Sequence, residues 1–192
     1  MFAPHITHEE VEVLPFVAFG GDITLVDNDN VDINAVAGYL MQQPVLGYDT
    51  ESQPSFVRGV HHGVSLLQLS TNDRAFLLRV DKIGIPKPLI PVLQNPKILK
   101  IGAAIGEDIR GMQRVQRFRP QGFIDLQKMV ESYGIQDKAV KKMAAIVLQV
   151  RISKSQQTSN WGAKKYTREQ MLYAATDAWV CREIYMKLIH KS

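Results

Sequence analysis

Residues 45–51, VLGYDTE, set two acids two positions apart on an otherwise apolar run. Side chains alternate along a strand, so Asp49 and Glu51 point to one side, roughly 7 Å apart along the backbone. Two carboxylates held together repel each other and are costly to desolvate. A divalent cation resolves both difficulties, because hard oxygen ligands are what Mg²⁺ prefers. The competing reading is a strand end that faces water, and an Asp-x-Glu triplet alone is weak evidence against it.

A second carboxylate stands on a helix. Thr167 and Gln170 have the spacing of a capping box, which starts a helix at about residue 168. Tyr173, Asp177, Cys181, Ile184 and Leu188 then recur at helical spacing along one stripe, apolar towards its C-terminal end. That stripe belongs to the core. Asp177 therefore sits where an unpaired carboxylate is least welcome, and something positive must meet it. Asp108, in the first helical turn after a strand, is explained equally by the helix dipole or by a role in the same site. Tyr173 is either a core tyrosine or, one turn before Asp177, a group that orients a nucleophile.

The elements that must position these residues are legible as far as type. Strands are expected at residues 22–26, 45–51, 63–69, 74–80 and 98–102, with a short strand or turn at 123–126. Helices are expected at 33–42 (capped by Asn30 or Asp32 and broken by Pro44), 88–94, 106–117, 126–133, 139–149 and 168–190. Early strands followed by strand and helix in alternation indicate an α/β fold, a mixed sheet covered by helices, with strand order unreadable. No repeat or linker divides the chain, so residues 22–192 are expected as one domain after an N-terminal extension, 1–21.

The 192 residues need no disulfide to fold, and the one cysteine, Cys181, suits a reducing, cytoplasmic setting and a place in the core. No apolar run approaches the roughly 20 residues of a membrane span, and the first residues lack a secretory pattern. Net charge is +4. Of the basic clusters, the loop at 150–166 and its continuation matter most, because they lead into the helix of Tyr173 and Asp177. There Lys154, Lys164, Lys165 and Arg168 are candidates for phosphate contact, and Trp161 either stacks on a base or packs beneath the loop. Adjacent residues on extended chain point apart, so His61 and His62 are assigned to a loop rather than a metal site. His5 and His8 are expected at the surface.

Asp-x-Glu on a strand, Asp after a later strand and Tyr-x-x-x-Asp on the last helix resemble the DEDDy 3′→5′ exonucleases, among them ribonuclease D and the Werner helicase exonuclease domain. The flanks are similar too: GVSLLQLS from Gly63, KIGAAIGEDIRGM around Asp108, and TSNWGAKKYTREQMLYAATDAWVCREIY around Asp177. The resemblance spans about residues 23–188. It implies a ribonuclease H-like sheet and two divalent cations, Mg²⁺ or Mn²⁺, with no organic cofactor. The substrate it implies is a nucleic acid, DNA or RNA, with a free 3′ end, single-stranded or recessed. Carried over by position, Asp49 bridges both ions, Glu51 and Asp177 complete the site of the attacking water, Asp108 serves the second ion, and Tyr173 orients the nucleophile. Ser52 stands where many relatives carry an aromatic residue, which implies altered substrate packing rather than lost chemistry. The chain ends after the last helix, without the helical modules that follow in ribonuclease D, which bears on substrate more than on reaction. The rival readings are a non-cutting binding module of the same fold, or a hydrolase of small phosphodiesters.

Overall fold

The strand β2 (Val45–Ser52) carries Asp49 and Glu51, and the rest of the architecture serves to bury its two faces. The structure is a computed structural model that describes residues 2–28, 31–54 and 62–190. The other strands are β1 (Asp22–Val26), β3 (Val64–Ser70), β4 (Arg74–Leu78), β5 (Leu99–Gly102) and β6 (Phe123–Asp125). They form one six-stranded sheet in the order β1-β4-β3-β2-β5-β6. β2 pairs antiparallel with β3 and parallel with β5, β3 pairs antiparallel with β4, and both edge pairs are parallel. β3 is buried along its whole length, as an interior strand covered on both faces must be.

Helices cover the two faces. The 22-residue α8, which follows seven shorter α-helices among the described residues and spans Arg168–Ile189, lies across β2 and β3. Those shorter helices are α1 (His8–Glu12), α2 (Ile33–Met41), α3 (Val80–Ile83), α4 (Ile90–Gln94), α5 (Gly106–Val115), α6 (Leu126–Met129) and α7 (Val140–Leu148). α7 packs beside α8. On the opposite face, Leu46 and Tyr48 of β2 join a core with Val36 and Leu40 of α2, Val92 and Leu93 of α4, and Met112 of α5. The expected mixed α/β sheet flanked by helices is therefore the one observed. No helix among the described residues is long and apolar enough to cross a membrane.

The start of α8 is where the sequence placed it. The Thr167 side chain accepts from the Gln170 amide, and the Gln170 side chain accepts from the Thr167 N–H. Elsewhere the structure departs from expectation. The strand expected to reach residue 80 stops at Leu78, because α3 begins at Val80 with Arg79 as its N-cap residue. The buried Arg79 guanidinium pairs with Asp81 at 2.9 and 2.7 Å and lies over the Tyr166 ring. Asp32 is the cap of α2, accepting from Asn34 and Ala35; the alternative, Asn30, lies outside the described residues. α1 was not foreseen, although Thr7 and Glu10 form a complete capping box. The expected extension is tied to the body: the Ile6 amide donates to Asp137, Val17 to the Arg151 carbonyl, and Phe19 to the Thr176 hydroxyl.

Lys100 of β5 is fully buried, yet its ammonium is satisfied. Nζ donates to the carbonyls of Val92, Asn95 and Ile98 at 3.1, 2.9 and 2.6 Å, which fastens the turn between α4 and β5. Burial pushes its pKa down from 10.5 to about 8. Between those two values the unfolded chain holds a proton that the folded chain has released, so stability rises with pH across this window. Below it the desolvation penalty is present in full. Lys100→Met should lack this rise between pH 8 and 10.5, a difference visible in urea denaturation of the two proteins at pH 7.5 and 9.5.

Candidate active site

The site begins with a close crossing of backbones. A Cβ built at Gly47 of β2 would stand 1.9 Å from the carbonyl oxygen of Ala178 in α8, so helix and strand touch directly. Ala174, Ala175 and Ala178 are fully buried at this crossing. With no bulky side chain between the two elements, Asp177 comes down beside the acids of β2. Carboxylate oxygens of Asp49, Glu51 and Asp177 lie within 4.8 Å of one another. Just past Glu51 the β2–β3 register slips, so that Glu51 faces Leu66 while Ser52 faces Val64. Such a bulge bends a strand and re-aims the side chains around it.

Burial raises all three carboxyls, and repulsion from neighbouring acids adds to the rise at Asp49 and Glu51. Asp49 is raised well above the usual carboxylate range, first by desolvation and then by Asp177 and Asp108. Glu51 is raised for the same reason, with Asp49 its nearest repelling neighbour. Desolvation lifts Asp177 from 3.8 to about 7, against a hydrogen bond from the Tyr173 hydroxyl and the charge of Lys154, which both lower it. Among the described residues none of the three forms an ion pair with lysine or arginine. A pocket of hard oxygen donors with surplus negative charge fits a divalent cation, which would restore all three to the ionised form.

Two further residues complete the arrangement. Tyr173, one turn before Asp177, gives that carboxylate its hydrogen bond, and burial followed by the Asp177 charge keeps its phenol protonated. It acts at neutral pH as a hydrogen-bonding group and not as a base. Asp108, in the first turn of α5, lies outside the 4.8 Å cluster; its carboxyl accepts from the Thr50 hydroxyl between Asp49 and Glu51. Burial is the main cause of its raised pKa.

The surroundings divide the basic candidates. Lys154, Lys164, Lys165 and Arg168 are all exposed, and Lys154 is the one whose charge acts on Asp177. Trp161 is not available to stack on a base. It is fully buried, edge-on to Tyr166 at 5.4 Å and near Tyr173 at 6.2 Å, so it supports Tyr173 from beneath. Cys181 is buried in the core, as expected. His5 and His8 are exposed. His61 lies outside the described residues, whereas His62 lines an open groove of about 910 Å³ with Ser52, Glu107, Asp108 and Arg114. Arg114 was passed over in the sequence. Six positions after Asp108, it does not share that residue's helix face, so spacing gave no signal for it.

With this geometry in place, likeness to known proteins becomes informative. Residues 28–191 match the family described as 3′-5′ exonuclease. The chain is 27% identical over 187 residues to the Mus musculus bifunctional 3′-5′ exonuclease/ATP-dependent helicase WRN, covering 91% of this chain and 13% of that protein. It is 28% identical over 163 residues to Haemophilus influenzae ribonuclease D, covering 83% of this chain and 40% of that one. Among solved structures, Escherichia coli RNase D, described as an exoribonuclease involved in structured RNA processing, superposes with a TM-score of 0.77 at 25% identity. That superposition covers 88% of this chain and 45% of RNase D, and it identifies the sheet as ribonuclease H-like. The chain thus spans less than half the length of these relatives.

Proposed function

Because this chain belongs to the 3′-5′ exonuclease family, we propose that it hydrolyses phosphodiester bonds from the free 3′ end of DNA or RNA, single-stranded or recessed. The observation that carries the reading is the half-buried trio Asp49, Glu51 and Asp177, whose carboxylates crowd together while Asp177 takes a hydrogen bond from Tyr173. Two divalent cations, Mg²⁺ or Mn²⁺, supply Lewis acidity and charge stabilisation when bound. Asp49, Glu51 and Asp177 would hold one, and Asp108 with Asp49 the other. In the reaction a water oxygen bonds to phosphorus, the bond to the preceding nucleotide's 3′-oxygen breaks, and that oxygen takes up a proton. The Tyr173 hydroxyl, anchored on Asp177, orients the water. Exposed Lys154 stands on the substrate side of Asp177, and the groove with His62 and Arg114 next to Asp108 offers a path for the strand upstream of the scissile bond. The single buried thiol, Cys181, is compatible with a reducing, cytoplasmic setting.

The test uses 5′-labelled single-stranded RNA, single-stranded DNA and a duplex with a recessed 3′ end, each with Mg²⁺, Mn²⁺ or chelator. A metal-dependent ladder shortening from the 3′ end, absent in Asp49→Ala, is expected. Intact labels under every condition, with binding retained, would leave a non-cutting binding module in its place. Tyr173→Phe separates orientation from metal binding. It removes one hydroxyl, so turnover should fall roughly 10²-fold while Mn²⁺ affinity, followed by calorimetric titration, stays within a factor of about 3.

A further inference from the structure

The β2–β3 register sets Gln68 directly opposite Asp49. Opposed residues of an antiparallel pair point to the same face, with Cβ atoms about 4.5–5.5 Å apart. That face is the one beneath α8. Gly47, two residues before Asp49, touches Ala178, and Leu66, two residues before Gln68, is buried with Tyr173 and Ala174. Gln68 is fully buried, and neither its Nε2 nor its Oε1 has a hydrogen-bond partner among the described residues. Leaving an amide so placed is costly, a penalty that an apolar side chain of similar volume avoids. Its neighbour has the opposite deficit. Asp49 is half-buried among acids, and the hydrogen bond that acts on it comes from the backbone of Thr50. A donor without an acceptor thus lies beside an acceptor short of donors.

We propose that Gln68 is a positioning residue for Asp49: when the site is loaded with divalent cation, its Nε2–H donates to a carboxylate oxygen of Asp49 and fixes the orientation of that ligand. This rests on the metal-binding reading of the site given above. Partners of this kind, one step removed from the metal, change affinity by about 10–100-fold when removed. A purely packing role makes the opposite forecast, because methionine fills the same volume without a buried amide.

The experiment titrates Mn²⁺ into the wild type, Gln68→Met, Ser70→Ala and Asp49→Ala by calorimetry, and records melting curves of each in chelator. Gln68→Met should melt as high as the wild type or higher and bind Mn²⁺ about 10-fold more weakly, whereas Ser70→Ala, on the same face of β3, should bind as the wild type does. Equal affinity in the wild type and a folded Gln68→Met overturns the positioning role and leaves the exonuclease reading intact. Absence of Mn²⁺ binding in the wild type overturns both. A wild-type measurement stands apart from the folding of any variant: the Gln68 side-chain amide resonances should move on addition of Mg²⁺, and resonances unmoved at saturation count against the hydrogen bond.

Discussion

Asp177→Asn should abolish hydrolysis and, in chelator, melt at a higher temperature than the wild type. The two effects have one cause. In the metal-free protein Asp177 is a desolvated carboxyl within 4.8 Å of two others, and its pKa rises from 3.8 to about 7. A folded-state pKa above the unfolded one means that the folded chain binds the extra proton between those values. Stability therefore falls as pH climbs from about 4 to 7, and above 7 the whole penalty is present. Asparagine keeps the shape and can still accept from Tyr173, but carries no charge. At pH 8 the gain should be roughly 1–3 kcal/mol, or about 3–8 °C in Tm for a chain of this size. With a cation bound the order reverses, since the wild type gains its metal's binding energy and the variant does not. Loss of one charged ligand should cost turnover at least about 10³-fold. Thermal melts at pH 5 and pH 8, with and without Mn²⁺, check every part of this. A variant that melts below the wild type in chelator at pH 8 would falsify the account of the trio as mutually repelling.

Gly47→Ala should be the most damaging change of a single methyl in the protein's core. The added Cβ meets the Ala178 carbonyl oxygen at 1.9 Å and its carbon at 2.6 Å. Both partners are backbone, one in a strand held on each side and one in the middle of a 22-residue helix, so neither has a flexible end to move aside. The helix must back away as a body, and Asp177 goes with it. A loss of about 3 kcal/mol or more is expected, together with at least about 10-fold weaker Mn²⁺ binding. Gly38→Ala is the internal comparison: it lies on the exposed face of α2 with nothing within 4 Å, and there the same substitution should stabilise by about 0.5–1 kcal/mol. Urea midpoints for the two variants and the wild type decide the matter.

What the sequence made legible was local. The Asp-x-Glu pair could be placed on one side of a strand because alternation is a two-residue property, and the Thr167–Gln170 box fixed the phase that put Tyr173 and Asp177 on one helical stripe. The meeting of these two segments was not local. It depends on a glycine against an alanine 131 positions later, and nothing in either segment alone declares that contact. The bulge after Glu51 was hidden for a like reason, since a register slip belongs to two strands at once. Trp161 shows the limit from another direction. A tryptophan in a basic, polar loop can stack on a base or pack beneath the loop, and only the fold, which buries it against Tyr173, decides for packing. Gln68 carried no sign of its position, because its importance comes entirely from the residue across the sheet.

The attachment of the N-terminal residues bears on the order in which the molecule can assemble. Ile6, Leu14 and Phe19 close onto Asp137, Arg151 and Thr176, contacts separated by 131, 137 and 157 positions along the chain. Loops of that length are slow to close, and their entropy is spent before their contacts form. On a ribosome Ile6 and Leu14 must wait for Asp137 and Arg151, and Phe19 for Thr176 of α8. Arg151 opens the loop that bears Lys154, and it is clasped on both sides by Leu14, Pro15 and Val17. The footing of the loop that bears Lys154 is thus among the later pieces to be set, because it joins residues 137 positions apart.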